Sequence, residues 1–129
     1  MDKLEYIPRD LVSVYVGIKK YIVEVIGTEN ENEALLYQIK FPNGEIQYAD
    51  KDNIVPIPLT HEILEKNGWK SINGKYALKI KNANYVVLEF TEDGIYTYIN
   101  ENTMLFTIKY IHELQHLLFG LGLNSEMEV

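Results

Sequence analysis

A chain of 129 residues suffices for one ordinary domain, or for two very small ones packed together. Hydrophobic residues make up 47% of it and aromatic residues 12%, a composition that buries a core and excludes a disordered polymer. The net charge is −7, Arg9 is the sole arginine and cysteine is absent; this argues against a general nucleic-acid binder and excludes disulfides, thiolate metal sites and cysteine nucleophiles.

Met1–Pro8 lacks a basic region followed by an apolar run, so no signal peptide is expected. No window reaches the roughly 18 uninterrupted apolar residues of a membrane span. The expectation is a protein of the cytoplasm with no membrane partner.

Up to residue 57 the pattern is all β. Leu11–Val16 alternates loosely and Tyr21–Ile26 is a β-branched run, punctuated by Gly17 and Gly27. The polar stretch Thr28-Glu-Asn-Glu-Asn-Glu33 predicts a solvated loop. Leu35–Phe41 and Glu45–Tyr48 flank Pro42-Asn-Gly44, a hairpin signal with Asn-Gly at positions that favour positive φ. The sheet is expected to close with Asp50–Ile57. This order of short strands resembles an SH3-like barrel of the Tudor or KOW kind.

The connector Ile54-Val-Pro-Ile-Pro-Leu59 has two prolines spaced by one residue, so it is extended and belongs to neither a helix nor a central strand. Thr60 as N-cap and Gly68 as C-cap predict a short helix over Thr60–Asn67. Strands follow at Lys75–Ile80, Tyr85–Phe90 and Ile95–Ile99, with a short fourth at Met104–Thr107. A last helix is expected from Ile108 to Phe119, stopping at Gly120-Leu-Gly122. The expected fold is mainly β, of the α+β class. A small SH3-like β-barrel spans 1–57. An α+β domain spans 58–129 and holds a short helix, an antiparallel meander of three to four strands and a C-terminal helix.

The last helix contains His112-Glu-Leu-Gln-His116, which spells the zinc-hydrolase pattern H-E-x-x-H. Helical spacing puts His112 and His116 on one face, where both could bind zinc, with Glu113 as general base toward a metal-bound water. Ile111, Leu114, Leu117, Leu118 and Leu121 form the apolar stripe; His112, Gln115, His116 and Phe119 lie opposite, on a face expected to meet solvent or a partner. A third ligand is missing from the motif. The positions where a metzincin carries Gly and His hold Phe119 and Gly122, leaving Glu126, Glu128 and His61 as remote candidates. The bland reading, a packing helix without metal, outweighs zinc catalysis.

Pro56-Ile-Pro-Leu-Thr-His-Glu-Ile-Leu-Glu-Lys-Asn-Gly-Trp69 together with Tyr110-Ile-His-Glu-Leu-Gln-His-Leu-Leu-Phe119 resembles small uncharacterised proteins of Bacteroidetes phages and prophages. The pattern there is PIPLT-x-E-x-L-x-K-x-GF, then a β-meander, then a helix similar to YVHxLQNLYFAL. His116 stands where that helix carries Asn, so the resemblance implies that HELQH is incidental. It implies a mobile-element gene product in a bacterial cytoplasm and brings no activity with it.

Among the aromatics, Tyr15, Tyr21, Tyr37, Phe41 and Tyr48 are candidates for a cation cage, against the commoner role of cross-strand packing. Tyr76, Tyr85, Tyr96 and Tyr98 are candidates for one half-buried sheet face, and Trp69 for a core anchor. Three functional readings follow. The first is a non-catalytic interaction protein without cofactor, binding a host or phage protein through the barrel or the exposed sheet, with Tyr110, His112 and Gln115 as the candidate contact residues of the last helix. The second is a small-ligand-binding or sequestering protein. The third is a minimal zinc hydrolase using Glu113, His112 and His116. Exposed strand edges make a homodimer an open alternative.

Overall fold

The computed structural model describes residues 6–31, 34–100 and 102–129. The first half is a five-stranded antiparallel sheet of β1 (Leu11–Val16), β2 (Lys19–Glu31), β3 (Ala34–Lys40), β4 (Ile46–Ala49) and β5 (Ile54–Pro56), ordered β4-β3-β2-β1-β5. A single 3-10 turn, Lys51–Asn53, precedes β5; the Asp50 carboxylate caps it by accepting the N–H groups of Asp52 and Asn53. The sheet is open: β4 and β5 are its edges, and among the described residues β5 carries Pro56 where no further strand needs its missing N–H.

Two local expectations are corrected. Thr28–Glu31 is not loop but the end of β2, with Thr28 opposite Tyr37 and Glu31 opposite Ala34. Backbone pairing extends the strand where polar side chains alone signal a loop; Asn32 and Glu33 lie outside the described residues, as do Met1–Glu5. β2 reaches its 13 residues through a bulge between Val25 and Gly27, where a Cβ on Gly27 would sit 3.1 Å from the Gln38 amide oxygen. In the Pro42-Asn-Gly44 turn only Gly44 takes positive φ, at +92°, while the Asn43 side chain accepts the N–H of Glu45 at 2.9 Å.

In the second half, α1 (His61–Lys66) starts on Thr60, whose hydroxyl accepts the Ile63 N–H, and ends before left-handed Gly68. Then come β6 (Lys70–Ile72), β7 (Lys75–Lys79), β8 (Tyr85–Thr91), β9 (Gly94–Ile99), β10 (Thr103–Ile108) and α2 (Ile111–Gly120). The sheet is a simple antiparallel meander, β10-β9-β8-β7-β6, of five strands rather than three to four. The additional strand, β6, is turned back on β7 by Asn73-Gly74, both at positive φ (+52° and +81°), the geometry of a type I′ hairpin. Ile108 belongs to β10, and α2 begins three residues later than the pattern suggested.

Each half has its own apolar core. Val12, Val14, Val23, Val25, Tyr37 and Ile39 anchor the first. Leu64, Trp69, Leu88, Ile108, Ile111 and Leu114 anchor the second. The division falls within the proline connector: Ile54 lies in the first core and Ile57 in the second. Past β5 the connector runs beside the start of α2, with the Ile111 N–H donating to Ile57 O at 2.9 Å and the Leu59 N–H to Lys109 O at 3.0 Å. α2 is thereby held between the halves.

Candidate functional site

The HELQH segment occupies the first two turns of α2, and its surroundings decide what it can do. Ile111, Leu114, Leu117 and Leu118 face the second core. The opposite side, expected to meet solvent or a partner, is covered at His112 and Gln115 by the chain's own first half, leaving them 8% and 3% exposed, while His116 is partly exposed and Phe119, 68% exposed, meets solvent. The polar groups that such a helix buries must be satisfied internally.

Gln115 meets that demand with three bonds. Its Oε1 accepts the Leu11 N–H at 2.9 Å, and its Nε2 donates to Arg9 O at 2.8 Å and Ser125 O at 3.1 Å. His116 Nε2 lies 2.7 Å from Asp10 Oδ2, and that carboxylate also accepts the Ile7 N–H at 2.9 Å. His112 is wedged between aromatics, edge-on to Tyr6 at 4.9 Å and stacked with the half-buried Tyr110 at 5.9 Å. Tyr110, His112 and Gln115 are thus brought together, but by an internal seam rather than an outward surface. Asp10, the partner that explains His116, was not singled out in the sequence because nothing local marks it.

As a metal centre the motif is otherwise engaged. The Glu113 carboxylate accepts the N–H groups of Lys109 at 2.8 Å and Tyr110 at 3.0 Å, capping the helix it begins. Among the described residues no group of three or more His, Cys, Asp or Glu side chains is arranged to hold a metal ion. Two of the three remote third-ligand candidates are engaged elsewhere: His61 Nδ1 is 3.0 Å from the Tyr76 hydroxyl, and Glu126 pairs with Arg9 at 3.5 Å.

The aromatic sets also divide. Tyr37 packs edge-on against Tyr6 in the first core and Tyr21 against Phe41, whereas Tyr15 and Tyr48 are each more than half exposed, so the five do not form one cage. Tyr76 points into the second core, against the expectation that it shares a face with Tyr85, Tyr96 and Tyr98; strand alternation puts those three on the outer face. Burial and then the Tyr76-facing Glu65 and Glu62 raise the Tyr76 hydroxyl above its ordinary range; burial and Glu89 do the same for Tyr98.

That outer face holds a feature missed in the sequence. Val87 is only 4% exposed although it belongs to neither core. With Ala77 opposite it on β7, it floors an open hollow of about 280 Å³ bordered by Ile72, Lys75, Tyr85 and Asn100. A second hollow of about 340 Å³ shares Ile72, Ala77 and Tyr85 and adds Lys70 and Lys79. The signal that could have found it is Asn73-Gly74, which turns β6 back beside β7. No family model, no curated protein and no solved structure matches this chain.

Proposed function

We propose that the chain is a non-catalytic interaction protein of phage or prophage origin, acting in the bacterial cytoplasm, that docks a protein partner on the outer face of the second sheet. The observation that carries this reading is the apolar floor of Ala77 and Val87, lying outside both cores and flanked by Ile72, 55% exposed, and Tyr85, 39% exposed. A recessed apolar floor with an aromatic rim is the local form of an anchor pocket, and lysines around it favour a partner whose anchor is flanked by carboxylates. The engagement of HELQH in the seam supports the non-catalytic half of the reading. The antiparallel first sheet of five strands, with its 3-10 turn before the last strand, supports the SH3-like resemblance and serves here as the scaffold against which α2 is held.

The test is affinity capture from host lysate with wild-type protein beside Ile72→Glu and Tyr85→Ser. A partner retained by the wild type and released by both variants supports the surface; one retained equally by all three overturns it. Metal content by mass spectrometry after zinc exposure and desalting checks the other half. One zinc per chain, lost in His116→Asn, would return the chain to zinc chemistry.

A further inference from the structure

The segment after α2 has no regular structure, yet it is held in place. From Leu123 to Val129 the residues alternate in burial: Leu123, Ser125, Met127 and Val129 are partly buried, and Asn124, Glu126 and Glu128 are exposed. This is the period of an extended strand. Among the described residues, no main-chain group of 124–129 bonds another main-chain group; the last such bond is Leu123 N–H to Leu118 O at 2.8 Å.

Side chains hold the segment instead. The Asn67 amide grips Glu128 at both main-chain groups, Nδ2 donating to its carbonyl and Oδ1 accepting its N–H, each at 2.8 Å. Gln115 donates to Ser125 O at 3.1 Å, and Lys66 Nζ to Val129 O at 3.2 Å. A paired amide grip of this kind reproduces a β-ladder contact and is blind to the side chain of the residue it holds. Specificity comes from the alternate apolar side chains, Leu123, Met127 and Val129, which pack against the second core. Main-chain capture combined with pockets for alternate side chains is the chemistry by which proteins hold extended peptides.

The groove is not filled by its own segment. Beside Met127 an open hollow of about 440 Å³ is bordered by Arg9, Leu11, Glu24 and Gln115. Another, of about 420 Å³ beside Met127 and Val129, reaches Ile22 and Lys40 on the first sheet. Gly120 ends α2 and left-handed Gly122 lies between it and the segment, where backbone freedom is greatest.

We propose that this groove, between α1, α2 and the first sheet, is a recognition site for an extended segment with apolar side chains at alternate positions and acidic ones between. Leu123–Val129 occupies it in cis, and a partner segment of the same chemistry takes its place in trans. The occupant is argued from the segment already seated there, whose main chain is read by side chains alone and can be exchanged without breaking a sheet. The site is independent of the hollow on the second sheet.

The experiment uses the full-length chain and, as probe, a labelled synthetic peptide of sequence LNSEMEV, read by fluorescence anisotropy. Tethering gives the cis segment an effective concentration of the order of millimolar, so the wild type should bind the probe weakly. The double variant Met127→Asp, Val129→Asp frees the groove and should bind at least about tenfold more tightly by relief of that competition. Adding Asn67→Ala should abolish the gain. A freed variant with an unchanged circular dichroism spectrum that binds no better than wild type, or a gain indifferent to Asn67→Ala, overturns the proposal. Wild-type dimers that exchange this segment, seen by light scattering, would overturn the trans partner in favour of a second copy. If the freed variant does not fold, hydrogen exchange on Asn67→Ala decides: faster exchange confined to residues 124–129 supports the grip, and an unchanged segment overturns it.

Discussion

His116 Nε2 and Asp10 Oδ2 lie 2.7 Å apart across 106 positions of sequence, and the carboxylate they share with the Ile7 N–H is 1% exposed. Replacing Asp10 with Ala leaves the part-buried Ile7 N–H and the partly exposed His116 ring nitrogen without their acceptor, at a cost of about 1 kcal/mol. A double-mutant cycle of Asp10→Ala and His116→Ala, read by urea unfolding, should show coupling of about 0.5–3 kcal/mol. Additive losses would mean that the two side chains merely sit side by side.

Gln115 carries more of the seam than either residue of that pair. Its amide both accepts and donates, so no single substitution preserves all three bonds. Gln115→Leu should lower stability by about 1–3 kcal/mol by leaving the Leu11 N–H and two carbonyls unmet. Gln115→Glu keeps the acceptor but turns a second carboxylate oxygen toward the carbonyls of Arg9 and Ser125, so near neutral pH it should be the more damaging of the two. Equal unfolding midpoints for wild type and Gln115→Glu would refute this account of the seam.

The strands of both sheets were readable because apolar alternation and turn residues act locally. So were Thr60 and Gly68 at the ends of α1 and the burial of Trp69. β6 escaped because Lys-Ser-Ile has weak strand character, although Asn73-Gly74 is as strong a hairpin signal as the Asn43-Gly44 that was read. The sequence suggested a packing helix at HELQH, but not what its polar side packs against. A helical wheel sorts residues into apolar and polar faces, but it does not say that a polar face is opposed by Arg9 O, the Leu11 N–H and Asp10. Those partners lie more than one hundred positions away and include main-chain groups, which carry no sequence signature.

The bulge in β10 supplies a third prediction. Pairing with β9 shifts between Met104 and Thr107, and the buried Thr97 hydroxyl fills the gap, donating to Phe106 O at 2.6 Å and accepting the Phe106 N–H at 3.1 Å. Thr97→Val keeps the shape and removes both bonds, for a loss of about 1 kcal/mol. Hydrogen exchange at the Phe106 amide should accelerate while the amides of β8 keep their protection. Unchanged exchange at Phe106 would show that the bulge is held by packing alone.

Alkaline stability follows from the two raised tyrosines. Tyr76 and Tyr98 ionise above their ordinary value of 10.0 in the folded chain, each first because burial disfavours the phenolate and then because carboxylates stand nearby. Between the unfolded and folded values the native state retains protons that the unfolded chain has released, so stability must fall as pH rises there. Their contribution is complete below about pH 10 and is lost as the pH climbs through the folded values. Urea midpoints measured from about pH 8 to pH 11 should therefore drop for the wild type, and drop less steeply for Tyr76→Phe with Tyr98→Phe. Tyr76→Phe also removes the contact between its hydroxyl and His61 Nδ1, which offsets the whole curve without changing its slope above pH 10. Parallel curves for the two proteins would assign the alkaline loss to other groups.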